Sequence, residues 1–319
     1  MNGVFLDSAS LGNDVHLDAF DNLPINWRKY PQTTPEETLE RLKEVEIVLT
    51  NKVVINAEHF KACPNLRYIG ILATGTNNVD LNAAKQYNVV VTNVVKYGTP
   101  SVVQHTFALI LNLSIHLQNY LSAIKNGEWQ QSPLFWMHVA PIRELKDLTL
   151  GIVGYGELGR GVAKLAQAFE MKVLIAQRAG KNPQVDHLKR LPLRELLPQV
   201  DVLSLHCPLT PDTHHLIDKQ ALSLMKPDAI LINTARGGLV DEAALAEALR
   251  LGKLGGAGFD VLTVEPPKNG NPLLNNDIPN LLITPHIAWA ARESRQRSIN
   301  QAAENLDIFL NNGSQNRVA

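Results

Sequence analysis

Three glycines and three ionisable side chains carry most of the chemistry this sequence can do. Gly154, Gly156 and Gly159 form G-x-G-x-x-G between an apolar run at 148–153 and a helical segment through Val162, Leu165 and Ala166. At a strand–turn–helix junction the first glycine permits a tight turn. The second admits a pyrophosphate, and the third lets helix and strand pack closely. Amides at the helix start, at Glu157 and Leu158, then face the anion. The element points to a dinucleotide, with an ordinary glycine-rich turn as the plain alternative. No G-K-[ST] follows, which excludes a P-loop.

The end of the next strand bears on which dinucleotide is bound. NAD-binding forms carry an acid there for the ribose 2′-hydroxyl, about 20 residues past the glycines. Here residues 172–176 run into Gln177 and Arg178. A neutral residue followed by a cation removes repulsion of a 2′-phosphate and supplies a partner for it, which favours NADP over NAD. Arg178 stacked on adenine or pointing to solvent is the alternative, and it leaves NAD in use.

Arg236, Glu265 and His286 stand in three further segments, at 232–241, 258–267 and 283–289, each at the end of a strand. Ligands of open α/β sheets gather at the carboxyl ends of strands, so these side chains are expected to converge. His214 and His215 lack other ligands at metal spacing, and no metal is expected.

The elements that must position these groups are short apolar runs at 4–6, 47–49, 68–72, 89–91, 148–153, 173–175, 202–205, 229–232 and 281–283. They lack strict alternation, as strands covered on both faces should. Helices between them have readable starts. Thr34-Pro35-Glu36-Glu37 places a cap, a first-turn proline and a capping-box acid in order. Asp241 before Glu242-Ala243-Ala244-Leu245 is a second cap. Repeated βα units imply parallel sheets.

Length and composition agree with two such domains. The chain has 319 residues, 45% hydrophobic and 19% charged, with a formal net charge of −1. At roughly 150 residues per domain, each can bury its own core. Disorder is excluded by the apolar content, and the charge balance gives no general attraction to nucleic acid or an anionic membrane. Cys63 and Cys207 form no framework, which fits a reducing compartment. The N-terminus meets Asp7 before a signal-peptide core could form, and the stretch 106–117 is broken by Asn112, Ser114 and His116. A cytoplasmic protein is expected.

With these motifs in this order, the sequence resembles the D-isomer-specific 2-hydroxyacid dehydrogenases, particularly the glycerate dehydrogenase/hydroxypyruvate reductase branch. The likeness covers nearly the whole chain. It is carried by residues 73–80, the glycine element, residues 206–211 and the three segments around Arg236, Glu265 and His286. The resemblance implies a Rossmann cofactor domain, 99–287, inserted in a discontinuous flavodoxin-like substrate domain, 1–98 and 288–319. The last helix would then return to the first domain.

By the same resemblance His286 is the general acid/base, Glu265 its orienting partner and Arg236 the substrate anchor. The chemistry needs these types. Hydride addition to a 2-keto carbon leaves an oxyanion that must gain a proton, and imidazole changes charge near working pH. A carboxylate beside the ring fixes its tautomer and favours its protonated form. Arg offers a planar fork to the substrate carboxylate and carbonyl oxygen. Thr74 and Gly75 are expected to cradle that carboxylate through their amides, and Asp260 to accept from the nicotinamide amide. The backbone of His206, Cys207 and Pro208 is expected to line the adenosine side. Thr106, Thr213, Thr234 and Ala235 are expected to touch the cofactor, together with Arg236 and His286.

The implied activity is reduction of hydroxypyruvate or glyoxylate to D-glycerate or glycolate by a homodimer. Residues 132–138 would serve either as a dimer arm reaching a substrate pocket or as intramolecular packing. A phosphoglycerate dehydrogenase-like enzyme and a dinucleotide-sensing corepressor-like protein are the alternatives. Many of the former carry a C-terminal regulatory domain and the latter would need an added partner-binding surface or tail, whereas this sequence reaches Ala319 soon after its last helix.

Overall fold

The computed structural model describes residues 1–178 and 188–319. These fall into two compact units, Met1–Gly98 with Trp289–Ala319, and Thr99–Ala288. In the first unit β1 (Asn2–Phe5), β2 (Asn26–Lys29), β3 (Ile47–Thr50), β4 (Tyr68–Ile71) and β5 (Val90–Thr92) form one sheet. All its pairs are parallel, in the order β2-β1-β3-β4-β5, which is the flavodoxin-like order. Every residue of β3 and β4 is buried, as both faces of the sheet are covered. Val48 and Ile69 face a core with Phe60 and Ala84, while Leu49 and Tyr68 face Phe20 and the final helix.

That helix, Arg292–Leu310, is tied to the sheet by side chains as well as by packing. Ser298 donates to the Leu72 carbonyl at 2.9 Å, and Asn305 donates to the Asn93 carbonyl at 3.0 Å. Sequence reading passed over β2 because it is Asn-Trp-Arg-Lys, mostly exposed and paired on one side only. An edge strand can be this polar, since charge at an edge discourages further pairing.

The second unit holds β6 (Thr149–Val153), β7 (Lys172–Ile175), β8 (Val202–Leu205), β9 (Ile230–Asn233), β10 (Gly256–Phe259) and β11 (Leu281–Ile283). They pair in parallel in the order β11-β10-β9-β8-β6-β7. Beyond β7, Ala176 forms a parallel bridge with Leu191, a third strand of the outer half reduced to a single residue. Counting that residue, the unit has the strand order of a dinucleotide-binding fold, and its order reverses between β6 and β8. The helix Thr99–Ile115 lies on one face through Phe107, Leu109, Ile110 and Leu113. It explains β10, which reads poorly as Gly-Ala-Gly-Phe: a Cβ on Gly258 would stand 3.0 Å from Leu109 and from Ile232. Among the described residues no single helix is long and apolar enough to cross a membrane, and Thr99–Ile115 is bent by 63° from the next helix, Leu117–Lys125.

Candidate active site

The glycine turn is shaped by close approach on two sides and by open space on a third. Gly154 has φ +96°, and a Cβ there would lie 2.5 Å from the backbone of both His206 and Cys207. The turn is thus pressed onto the end of β8, beside the point where strand order reverses. A Cβ on Gly159 would sit 2.2 Å from the Gly154 carbonyl oxygen, so helix and turn can meet only at glycine. Gly156 differs, because a Cβ there would meet nothing within 4 Å.

Gly156 is also the N-cap of the helix Glu157–Ala168, and the Arg160 amide is the first to donate back, to the Gly156 carbonyl at 3.0 Å. Amides at Glu157, Leu158 and Gly159 precede that first bond and lie in the positive end of the helix. The Glu157 carboxylate accepts from the Thr99 hydroxyl. Open space at Gly156 beside these amides fits a dinucleotide pyrophosphate.

At the end of β7 Gln177 is half-buried, with its amide donating to the Leu191 carbonyl at 2.8 Å, and Arg178 is exposed. On the other side of the turn, burial pushes the His206 ring down to a pKa of about 4, so it is neutral. Its Nε2 lies 2.8 Å from the Ser204 hydroxyl, while its buried Nδ1 has no partner among the described residues. Burial likewise pushes the Cys207 thiol up to about 11, which removes it as a nucleophile. Thr213 and Thr106 are both buried. Thr213 donates to the Pro208 carbonyl at 2.8 Å and closes that loop; Thr106 is fully buried, 3.2 Å from the Thr234 hydroxyl. Ala235 is buried beside Thr234.

His286 and Glu265 meet directly. Nδ1 of the imidazole is 2.6 Å from Glu265 Oε2, and Glu265 Oε1 accepts from the Leu262 amide at 2.7 Å. The carboxylate is therefore held from behind, and the ring nitrogen Nε2 points away from it. Arg236 is half-buried and braced by Asn233. The Asn233 side chain accepts from the Ala235 amide at 3.1 Å and donates to the Arg236 carbonyl at 2.9 Å. Gly237 links the two loops, since a Cβ on it would stand 2.0 Å from the Leu262 carbonyl carbon and 2.2 Å from the Thr263 nitrogen. Arg236 and Glu265 are thus brought together by backbone packed on backbone.

Asp260 has a role in the protein that its sequence position did not signal. It is 1% exposed, and its Oδ1 accepts from the Thr284 hydroxyl at 2.6 Å and the Ile287 amide at 2.8 Å. Its Oδ2 accepts from the Ala288 amide at 2.8 Å. The Asp260 carbonyl also takes the His286 amide at 2.8 Å, where His286 adopts φ 55°. One buried carboxylate therefore holds the loop that presents His286. His105 supports the same loop, with Nε2 2.9 Å from the Thr284 hydroxyl. Asn233, His105 and Thr284 went unread because each acts only through a partner distant in sequence.

Thr74 and Gly75 belong to the first unit, just past the carboxyl end of β4. There the Thr74 hydroxyl donates to the Val94 carbonyl at 2.9 Å, and the Thr74 carbonyl accepts from Asn93 at 2.8 Å.

Residues 107–288 match the family model for the NAD-binding domain of D-isomer-specific 2-hydroxyacid dehydrogenases. The chain belongs to this family. The dehydrogenase is 44% identical over 316 residues to a glycerate dehydrogenase of Methylorubrum extorquens, covering 99% of this chain and 98% of that one. It is 42% identical over 290 residues to a hydroxypyruvate reductase of Blautia hydrogenotrophica, covering 90% and 88%. Among solved structures, a Thermus thermophilus protein matches with a TM-score of 0.88 at 35% identity, over all of both chains. An acyclic imino acid reductase in complex with NADPH and D-Arg also matches at 0.88, with 28% identity and full coverage of both. The dehydrogenase is an NAD(P)-dependent oxidoreductase acting on CH–OH donors, of two parallel-sheet α/β domains.

Proposed function

We propose that the dehydrogenase interconverts a short 2-keto acid, hydroxypyruvate or glyoxylate, with D-glycerate or glycolate, and that it favours NADP. The observation that carries this reading is the His286–Glu265 pair at 2.6 Å beside the braced Arg236. The relatives named glycerate dehydrogenase and hydroxypyruvate reductase support the substrate.

Gly156 and the amides of Glu157 and Leu158 would hold the cofactor pyrophosphate, and Arg178 the adenosine end. His206, Cys207, Pro208, Thr234 and Ala235 would line the remainder. When bound and reduced, the nicotinamide supplies the hydride. Arg236 takes the substrate carboxylate and polarises the carbonyl oxygen. His286 carries its proton on Nε2 and gives it to the carbonyl oxygen as negative charge develops there. Glu265 accepts from Nδ1, which fixes the ring and compensates the positive charge it carries before transfer. In the oxidative direction the neutral ring accepts the hydroxyl proton at the same nitrogen. The buried Asp260 keeps the loop in register throughout.

A homodimer is part of the proposal, with the exposed Leu134, Phe135 and Trp136 supporting an interface at residues 132–138. The deciding experiment mixes purified protein with NADPH or NADH and hydroxypyruvate, glyoxylate or phosphohydroxypyruvate, and follows loss of the reduced-nicotinamide absorbance. Turnover of the first two keto acids, abolished in His286→Ala with cofactor affinity retained, is the expected result. Turnover of the phosphorylated acid alone transfers the enzyme to the phosphoglycerate dehydrogenase reading. Absence of turnover with all three sinks the reading.

A further inference from the structure

Glu242 opens the helix Glu242–Arg250 directly after its cap, Asp241, whose side chain accepts from the Ala244 amide at 3.0 Å. An acid in a first turn ordinarily complements the positive end of its own helix. The Glu242 carboxylate reaches outward as well, with both oxygens. Oε1 accepts from the Thr263 amide and Oε2 from the Asn271 side chain, each at 2.8 Å. Those two donors bracket the loop that carries Glu265. Between them Val264 is 63% exposed, so burial does little to hold the loop in place.

We propose that Glu242 is a positioning residue for the reaction: it fixes the loop of Glu265, and through Glu265 the aim of the His286 ring. The proposal rests on the acid/base reading of His286 and Glu265 above, and adds the group that keeps the two in register. The Leu262–Thr263 peptide is where the forces meet. On one side Gly237 is pressed against it, since a Cβ there would stand 2.0 Å from the Leu262 carbonyl carbon and 2.2 Å from the Thr263 nitrogen. Close contact prevents further approach but does not prevent separation. The hydrogen bond from the Thr263 amide to Glu242 opposes separation, and a charged acceptor makes it one of the stronger kind. One residue earlier, the Leu262 amide donates to Glu265 Oε1 at 2.7 Å, and Oε2 of that carboxylate lies 2.6 Å from His286 Nδ1. Movement of this peptide is therefore passed along two hydrogen bonds to the ring. The far end of the loop is tied too. Asn271 accepts from the Leu273 amide at 2.9 Å through Oδ1 while its Nδ2 serves Glu242, and Leu273 is buried in the core.

The test measures kcat and KM with hydroxypyruvate or glyoxylate, and NADPH or NADH, whichever pair wild type uses best. Melting temperature and cofactor affinity by nicotinamide fluorescence accompany it, for wild type, Glu242→Ala, Glu242→Gln, Glu265→Gln and the Glu242→Ala/Glu265→Gln double variant. Glu247→Ala is the control, because Glu247 stands on the same helix and pairs with Lys219 at 2.9 Å. A group that acts through Glu265 can lose no more than Glu265 supplies. In Glu242→Ala kcat should therefore fall about 10-fold, with KM and cofactor affinity within about 2-fold of wild type. Glu242→Gln keeps one acceptor oxygen and should recover kcat to within about 3-fold of wild type. In the double variant, Glu242→Ala should cost almost nothing beyond Glu265→Gln. Glu247→Ala should leave kcat unchanged. If wild type turns over neither keto acid, or Glu265→Gln keeps full kcat, the acid/base reading fails and takes this proposal with it. Suppose instead that Glu265→Gln loses turnover while Glu242→Ala keeps kcat, matches Glu247→Ala, raises KM rather than lowering kcat, or costs the same factor in both backgrounds. Glu242 alone is then refuted, and the acid/base reading stands.

Discussion

Replacing Gly237 by alanine should cripple catalysis while leaving most of the fold intact. The added Cβ would lie 2.0 Å from the Leu262 carbonyl carbon, 2.2 Å from the Thr263 nitrogen and 2.4 Å from the Leu262 oxygen. Ordinary contact begins near 3.4 Å, so the Arg236 and Glu265 loops must part by about 1.4 Å at this point. Every partner is backbone, so no side chain can turn aside to absorb the strain. Leu262 is also the residue whose amide holds Glu265, at 2.7 Å, and the displacement reaches His286 through that carboxylate. Misplacing catalytic groups by 1 Å can cost about 100-fold, and overpacking typically costs about 1–3 kcal/mol of stability. Gly238→Ala is an internal control, because its Cβ would meet first a Leu209 methyl at 3.0 Å, the far end of a flexible side chain. The assay is kcat/KM with the preferred keto acid, alongside the melting temperature and NADPH affinity of both variants. A loss of about 100-fold in Gly237→Ala against less than about 5-fold in Gly238→Ala is expected. If the two glycines prove equivalent, or Gly237→Ala keeps kcat/KM within a factor of about 3, the backbone contact does not set the site.

Glu265→Gln keeps the size of the side chain and removes its charge, so kcat should fall about 10- to 100-fold with KM little changed. Paired with His286→Ala, the loss should be far from additive, and additive losses would mean that the two groups act separately. Asp260→Asn turns an amide NH₂ toward at least one of the three donors that the carboxylate accepts. A destabilisation of about 1–3 kcal/mol, or roughly 3–10 °C in Tm, should appear in thermal melts, and an unchanged Tm would contradict the loop-holding role. His206 links stability to pH. Burial lowers its folded pKa to about 4 from an ordinary 6.5, so between those values the unfolded chain binds a proton that the fold refuses. That stability is present above pH 6.5 and is lost as pH falls toward 4. His206→Asn should flatten the fall of Tm over this window, and an undiminished slope would assign it to other groups.

What the sequence made readable follows from how local each signal is. Strands buried on both faces announce themselves as apolar runs, and β3, β4, β6, β8 and β9 were all visible this way. Helix caps were equally plain. Thr34 forms its capping box with Glu37, and Asp241 caps its helix through the Ala244 amide at 3.0 Å. Strands β2 and β10 were missed for opposite reasons: one is a polar edge, and the other gives up side chains so that a helix can approach. Residue types at the site were legible, because Arg, Glu and His in that order follow three strand ends. Their bracing was not, since Asn233, Asp260 and His105 act through partners that only the parallel sheet brings near.

Near-neutral net charge, taken alone, would leave little attraction for a cofactor and a substrate that are both anions. The arrangement of acids in the second unit answers this. Glu157 accepts from the Thr99 hydroxyl, Glu265 from the Leu262 amide while contacting His286, and Asp260 from three donors. Each of these acids near the strand ends is engaged by a local donor, which draws its field inward. Amides at the start of Glu157–Ala168 and the guanidinium of Arg236 then weigh most in what an approaching anion meets. Charges beyond about 8 Å are largely screened at physiological salt, so a balance of −1 over 319 residues says little about the potential at the end of β7. Selectivity between the two dinucleotides is likewise a local matter. It turns on what the residues at the end of β7 offer to a ribose 2′-hydroxyl or a 2′-phosphate.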